Sequence, residues 1–399
     1  MRIVMKFGGS SLATAAHIHR AAQLVLRQRQ EGHQVAVVVS AQGDTTDELL
    51  TKAGEITRDP TPREKDMLLA CGEQMSMALL AMQLEALCCP AQSLCGWQAG
   101  IGTDARHGDA RILTVEPRRV LETLEAGKVA VVAGFQGLSP EGEITTIGRG
   151  GSDTTAVALA AAIQADVCRI YTDVKGVCSA DPRVVAQARV HREISYDEML
   201  EMAALGAQVL HSRAVELARE KQVRVEVRST FAPEDDGTAL CRESAAVRGV
   251  RGIACDDSVA MVTVAGLGSG AGTCRLFSLL ADSGIVIDVI IRSPGSGSGR
   301  VRFSISAHDG DRVAALLRAG QQELGFTDFQ IQQGMAKVSA VGDGMSNGCG
   351  VAARMLHALQ EGGIEPAYIT TGDKRVSVIV EKPQARPAVR LLHAAFFDE

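Results

Sequence analysis

Between Ile144 and Leu159 the chain reads ITTIGRGGSDTTAVAL, in which Gly148, Gly150 and Gly151 interleave with a fixed cation, Arg149. Ser152, Asp153, Thr154 and Thr155 follow, and then an apolar run to Ala165. Glycines let the backbone turn tightly and approach a ligand. Hydroxyl and carboxylate residues cap helix N-termini, and the apolar run predicts a helix from about Thr155. A glycine-rich turn feeding a helix N-terminus aims free N–H groups and partial positive charge at an anion, so the segment points to phosphate or carboxylate chemistry. Taken alone it also fits a well-capped loop-to-helix connection. The start of the chain, MRIVMKFGGSSLATAAHIHRAAQLV, holds a second candidate. It predicts a strand over Arg2–Lys6, a turn at Gly8-Gly9-Ser10-Ser11 and a helix from about Ala13. Unlike the P-loop lysine, Lys6 precedes its glycines. From a strand end it could lie across phosphates held by the Gly8 and Gly9 amides, an arrangement suited to phosphoryl transfer. A surface lysine before a tight turn is the alternative.

These segments need a frame. Apolar, β-rich runs at Val35–Val39, Val129–Ala133, Val167–Tyr171 and Val223–Val227 alternate with helical patterns at Ala13–Arg29, Pro62–Ala86, Pro117–Ala126, Thr155–Gln164, Tyr196–Leu205 and Ser212–Lys221. Near-continuous Val/Ala strands separated by helices predict a parallel α/β sheet buried on both faces. Ligands then bind beyond the strand ends, where the polar segments Ser40–Asp47, Gly134–Gly137 and Thr172–Arg183 fall.

Composition narrows the function classes. A chain of 399 residues predicts two or three domains. With a net charge of −6 and no basic cluster, nucleic acid is not an expected partner. Residue 1 runs straight into a strand, and no apolar run reaches the roughly 18 residues of a membrane span, so a cytoplasmic location is expected. The ten cysteines form no Cys-x-x-Cys pair, which predicts reduced thiols and no metal site in the protein itself.

In order along the chain, KFGGSS, VVVSAQGDTTDELL, LLACGEQMSMALLA, GFQG, TTIGRGGSDTTAVALAAA, IYTDVKGVCSADPRV and ISYDEMLEMAALGAQVLHSRAVELA resemble the signature blocks of aspartate kinases. The resemblance covers nearly the whole chain. It implies an amino acid kinase that transfers the ATP γ-phosphate, with Mg²⁺, to the side-chain carboxylate of L-aspartate, giving 4-phospho-L-aspartate for the lysine, threonine, methionine and diaminopimelate routes. It implies catalytic roles for Lys6 and Asp153. Thr45, Thr46, Glu73, Arg149, Gly150, Gly151, Ser152 and Asp153 would bind the amino acid. Lys6, Phe7, Gly8, Gly9, Ser40, Thr172, Asp173, Cys178, Ser179, Ala180, Asp181, Pro182 and Arg183 would bind ATP. Cys178 departs from the tyrosine common in the family, which puts purine stacking in question. The residues suit these roles. Arg149 offers a bidentate fork to an α-carboxylate, and Glu73 and Asp153 offer anions to an α-ammonium. A kinase of glutamate or aminoadipate, or a catalytically silent amino acid sensor, are the alternatives.

After a polar stretch at residues 231–249, expected to be a linker, the chain repeats itself. Val262–Ile290 parallels Val338–Ile369: strand, glycine-rich turn, helix, Gly-Ile and second strand recur in order. Repeats at about 258–325 and 335–399 predict two ferredoxin-like βαββαβ units of roughly 70 residues. They resemble the tandem ACT domains that follow the kinase core, here 1–230, in aspartate kinases, which implies lysine or threonine effectors and a homodimer or larger homo-oligomer. A scaffold role without ligand is the alternative. Gly268–Ala271, Arg292-Ser293 and Thr370–Asp373 depart from the usual regulatory signatures.

Overall fold

The computed structural model describes all residues except 208, 244–248, 268–269, 294–298, 344, 346–349 and 399. The chain divides into two compact units: Met1–Cys178 with Arg189–Ala203 and Gln208–Ala246, and Ser179–Ala188 with Ala204–Ala207 and Val247–Glu399.

The first unit runs β1 (Arg2–Phe7), α1 (Ala15–Gln30), β2 (Gln34–Val39), α2 (Thr45–Ile56), α3 (Pro62–Ala86), β3 (Ala91–Leu94), β4 (Ile101–Thr103), β5 (Ile112–Val115), α4 (Arg118–Glu125), β6 (Val129–Ala133), β7 (Gln136–Leu138) and β8 (Ile144–Thr146). It continues through α5 (Gly151–Ala162), β9 (Val167–Thr172), β10 (Glu193–Ser195), α6 (Tyr196–Ala204), α7 (Ser212–Lys221), β11 (Val225–Ser229) and β12 (Thr238–Cys241). Eight strands form one sheet in the order β10-β12-β11-β9-β1-β2-β6-β3, parallel except for β11 against β12. β1 lies between β9 and β2, and Ile3, Val4, Met5 and Phe7 are wholly buried, as a strand covered on both faces requires. A smaller sheet, β5-β4-β7-β8, carries the GFQG and ITT segments.

Pro62 opens α3 at a position where its missing N–H is no loss. The inward stripe of α3 includes Asp66, Leu69, Ala70, Glu73, Met77, Leu80 and Leu84, so two carboxylates share a buried helical face. By length and composition α3 could cross a membrane, a test that buried core helices also pass.

The second unit has β13 (Gly249–Leu267), α8 (Gly270–Asp282), β14 (Ile290–Ser293), β15 (Gly299–Ser306), α9 (Gly310–Leu324), β16 (Asp328–Asp343), α10 (Val351–Glu361), β17 (Tyr368–Thr371), β18 (Arg375–Glu381) and α11 (Lys382–Phe397). Its six strands form one antiparallel sheet, β14-β15-β13-β16-β18-β17. Each βαββαβ repeat borrows from the same two long strands. Val259–Ala265 pairs with Asp328–Met335, and Gly249–Asp256 pairs with Lys337–Asp343. The outer strand of the second repeat therefore precedes the first repeat in sequence, so the repeats are nested and not simply consecutive as the sequence suggests.

Two further expectations are corrected. The stretch 231–249 is not all linker: Thr238–Cys241 pairs with β10 and β11 in the large sheet, its alternation being too short to register as a strand. The boundary is not a single cut near residue 230 either, because Ser179–Ala188 packs Ala180 and Val185 among Val338, Met355 and Val389 of the second unit.

Candidate active site

Four parallel strands end together. The Gly8 N–H donates to the Tyr171 carbonyl at 3.3 Å, that of Ser40 to Phe7 at 3.1 Å, and that of Gly134 to Val39 at 3.0 Å. The turns after β9, β1, β2 and β6 thus lie side by side, where a parallel sheet binds its ligands. They pack so closely that side chains are excluded. A β-carbon on Gly9 would lie 2.9 Å from the Ala41 carbonyl, and one on Gly134 would lie 2.8 Å from Ser152 Cβ.

Lys6 sits in β1 between Val38 and Ile170. Its Nζ meets Asp153 Oδ1 at 2.6 Å, both side chains being only about a tenth exposed (12% and 11%). Asp153 lies in the first turn of α5, which begins four residues earlier than the sequence predicts. Gly150, left-handed at φ 68°, turns the chain into the helix, leaving Ser152 and Asp153 inside its first turn. There a carboxylate opposes the positive helix end, and the first N–H groups lack partners within the helix. Thr155 Oγ1 joins α5 to the GFQG segment, accepting from the Phe135 N–H at 3.2 Å.

Glu73 projects from α3 into the same region. Its Oε1 accepts from the Ala41 N–H at 2.9 Å, while buried Oε2 has no hydrogen-bond partner among the described residues. Burial raises its carboxyl from 4.5 to about 7, against the opposing pulls of that N–H and of Lys6. A buried carboxylate with an open oxygen is suited to a cation. Thr45 opens α2, a helix the sequence reading missed, and lies by the α3 turn at Gly72. Arg149 is exposed on the glycine turn and makes no hydrogen bond or ion pair among the described residues.

His211, which the sequence reading passed over, abuts that turn. A β-carbon on Gly150 would lie 2.2 Å from His211 Cβ, and burial lowers the imidazole pKa although Asp153 opposes the shift. Its only sequence signal is its position in the LHSRAVELA block.

Lys6, Asp153, Glu73, Ser152, Thr45 and the glycines of both turns are therefore brought together, with Ser40 and Thr172 at the same strand ends and Thr46 in the first turn of α2. The Phe7 ring is wholly buried and stacks on Tyr171 at 4.9 Å. Asp173 is exposed, within hydrogen-bond distance of the Thr172 hydroxyl at 3.0 Å. The CSADPR run divides. Cys178 Sγ turns to the Gly176 carbonyl, Ser179 Oγ bonds His393 Nε2 at 2.9 Å, and Ala180 is core. These three side chains are occupied by packing. Asp181 and Arg183 pair at 2.9 Å and, with Pro182, remain accessible. Among the described residues no group of three or more His, Cys, Asp or Glu could hold a metal ion.

The amino acid kinase family model matches residues 1–229, and an ACT domain model matches 338–396. Aspartokinase 2 of Bacillus subtilis (strain 168) is 47% identical over 397 residues, covering 99% of this chain and 97% of that protein. An aspartokinase of Thermus thermophilus is 44% identical over 400 residues, covering 99% and 98%. The crystal structure of E. coli aspartokinase III with aspartate and ADP (R-state) superposes with a TM-score of 0.87 at 26% identity, covering 100% of both chains. The same protein with lysine and aspartate (T-state) gives 0.74 at 26% identity, covering 99% of both. An amino acid kinase core, a nested ACT pair and full-length identity place this chain in the aspartokinase family.

Proposed function

We propose that this chain transfers the γ-phosphate of ATP to the β-carboxylate of L-aspartate, giving 4-phospho-L-aspartate and ADP. The observation that carries the reading is the Lys6–Asp153 pair at the N-terminus of α5, with the open Glu73 oxygen nearby. A free amino acid needs a cation for its carboxylate and an anion for its ammonium. Arg149 supplies the fork and Glu73 the buried anion, with Thr45, Thr46 and Ser152 as hydroxyl partners. The acceptor carboxylate is ionised at neutral pH, so no strong base is required. One of its oxygens attacks the γ-phosphorus, the bond from that phosphorus to the β-γ bridging oxygen breaks, and ADP departs. The obstacle is repulsion between two anions. Lys6 and the Gly8, Gly9 and α5 amides reduce it, and Asp153 holds Lys6 at the strand end. Mg²⁺, bound with the phosphates of the nucleotide, would neutralise phosphate charge. Asp181, Pro182 and Arg183 are the accessible part of the segment proposed for ATP.

We assign the second unit to amino acid sensing, with lysine or threonine as effector and assembly as a homodimer or larger in the cytoplasm. E. coli aspartokinase III has been crystallised with lysine, which supports the reading. So does a cavity of about 440 Å³ at the start of α10, lined by Met345, Val351, Thr371 and Asp373. Of the departures noted above, Gly268 and Ser269 lie outside the described residues. Arg292-Ser293 ends β14, and Thr370-Thr371 ends β17. Turnover measured with each effector alone and with both combined tests the assignment: inhibition supports it, and indifference to both opposes it.

A further inference from the structure

We propose that Asp66 is a positioning residue for the amino acid acceptor, fixing the Arg149 turn relative to Glu73. The inference rests on the acceptor-site reading above. Asp66 is wholly buried on α3, yet its carboxylate meets four donors from three residues. Thr146 contributes its hydroxyl at 2.5 Å and its N–H at 3.1 Å. The Gly108 N–H lies 3.0 Å away and His107 Nδ1 2.8 Å. A charge this deep is tolerated only where its lone pairs are satisfied.

The partners are what make the position informative. Thr146 ends β8, three residues before Arg149. Asp109, next to Gly108, ion-pairs with Arg213 at 2.7 Å, and Arg213 donates to the Ile147 carbonyl at 3.2 Å. Gly148 crosses so close to Asp109 that a β-carbon there would lie 2.7 Å from its Oδ1. The turn carrying Arg149 is therefore clamped on both sides, and Asp66 ties that clamp to α3. Seven residues on, on the same inward stripe and about 10 Å along the axis, stands Glu73. One buried carboxylate thus sets the spacing between the cation and the anion that face the zwitterion.

Asp66→Asn keeps the size but turns an amide donor toward N–H groups, so the turn must shift. Displacing a binding group by an ångström costs on the order of a hundredfold. The test is steady-state ADP release by the full chain, for wild type, D66N, T146V, R149A and D66N/R149A, with aspartate and ATP varied separately. D66N is expected to raise the aspartate KM about ten- to a hundredfold while the ATP KM stays within about twofold. T146V, which loses only the hydroxyl, shifts the aspartate KM the same way by about threefold. In the R149A background D66N adds little, because both act through one contact. Equal rises in both KM values, multiplicative losses in the double variant, or an unmoved aspartate KM in T146V should D66N not fold, would each overturn the proposal. Wild-type turnover separates the two readings. Its failure with aspartate counts against the acceptor reading, whereas normal wild-type turnover with an unmoved D66N KM counts against the role of Asp66.

Discussion

Replacing Glu73 with glutamine should make the protein more stable at neutral pH and a poorer enzyme. Burial raises this carboxyl from 4.5 to about 7. Between those values the folded state holds a proton that the unfolded state has released. Stability linked to Glu73 is therefore fully present below about pH 4.5 and is lost as pH rises through about 7. At about 1.4 kcal/mol for each factor of ten, the loss approaches about 3 kcal/mol by pH 8 and is about 1 kcal/mol at pH 5. Glutamine keeps the acceptor for the Ala41 N–H but never ionises, so it escapes that loss. Thermal unfolding of the ligand-free protein should show Glu73→Gln melting several degrees above wild type at pH 8, at about 2–4 °C per kcal/mol, with a much smaller gap at pH 5. Aspartate KM should rise about ten- to a hundredfold, the worth of a hydrogen bond to a charged group, with the ATP KM little changed. In wild type, aspartate affinity should weaken as pH falls below about 7, because the buried anion is then protonated. A melting difference independent of pH, or an unchanged aspartate KM, would rule out a buried, titrating Glu73 in the acceptor site.

The other outcomes are simpler to read. Lys6→Met should lower turnover by on the order of a hundredfold or more, measured as ADP release at saturating substrates; near-normal turnover would remove Lys6 from the reaction. Arg149→Ala should raise the aspartate KM well above any change in ATP KM while the melting temperature holds, since an exposed side chain without partners contributes within about 0.5 kcal/mol. Gly150→Ala should impair both, because φ 68° and the contact with His211 leave no room for a β-carbon. A fully active Gly150→Ala would show that the turn adapts.

Much of this site could be read from sequence because its residues lie in short contiguous blocks. Strand, glycine turn and helix occur together at Lys6 and again at Arg149, and local chemistry is enough to read them. What escaped depends on partners distant in the chain. Asp66 looks like one of four successive charges, Arg63–Asp66, in a helix start, and only Gly108 and Thr146, 42 and 80 residues on, reveal it. α2 buries no residue, so TTDELLTKAGEI carries little of the periodicity that marks a core helix. The sequence predicts a late start for α5 because Ser152 and Asp153 look like caps, whereas a left-handed glycine already performs the turn. The nesting of the repeats is a pairing of Gly249–Asp256 with strand residues 81 to 94 positions away, which no local pattern encodes.

The proposed chemistry places ATP and a zwitterionic acceptor with an ionised side-chain carboxylate at the four strand ends. Its most direct test is ADP release by the full-length protein with ATP, Mg²⁺ and a panel of amino acids, with the acyl phosphate trapped by hydroxylamine. Turnover and hydroxamate with L-aspartate, and little with L-glutamate, aminoadipate or L-asparagine, is the predicted result. Equal turnover with asparagine, which lacks the attacking carboxylate, or ADP release without hydroxamate, would contradict it.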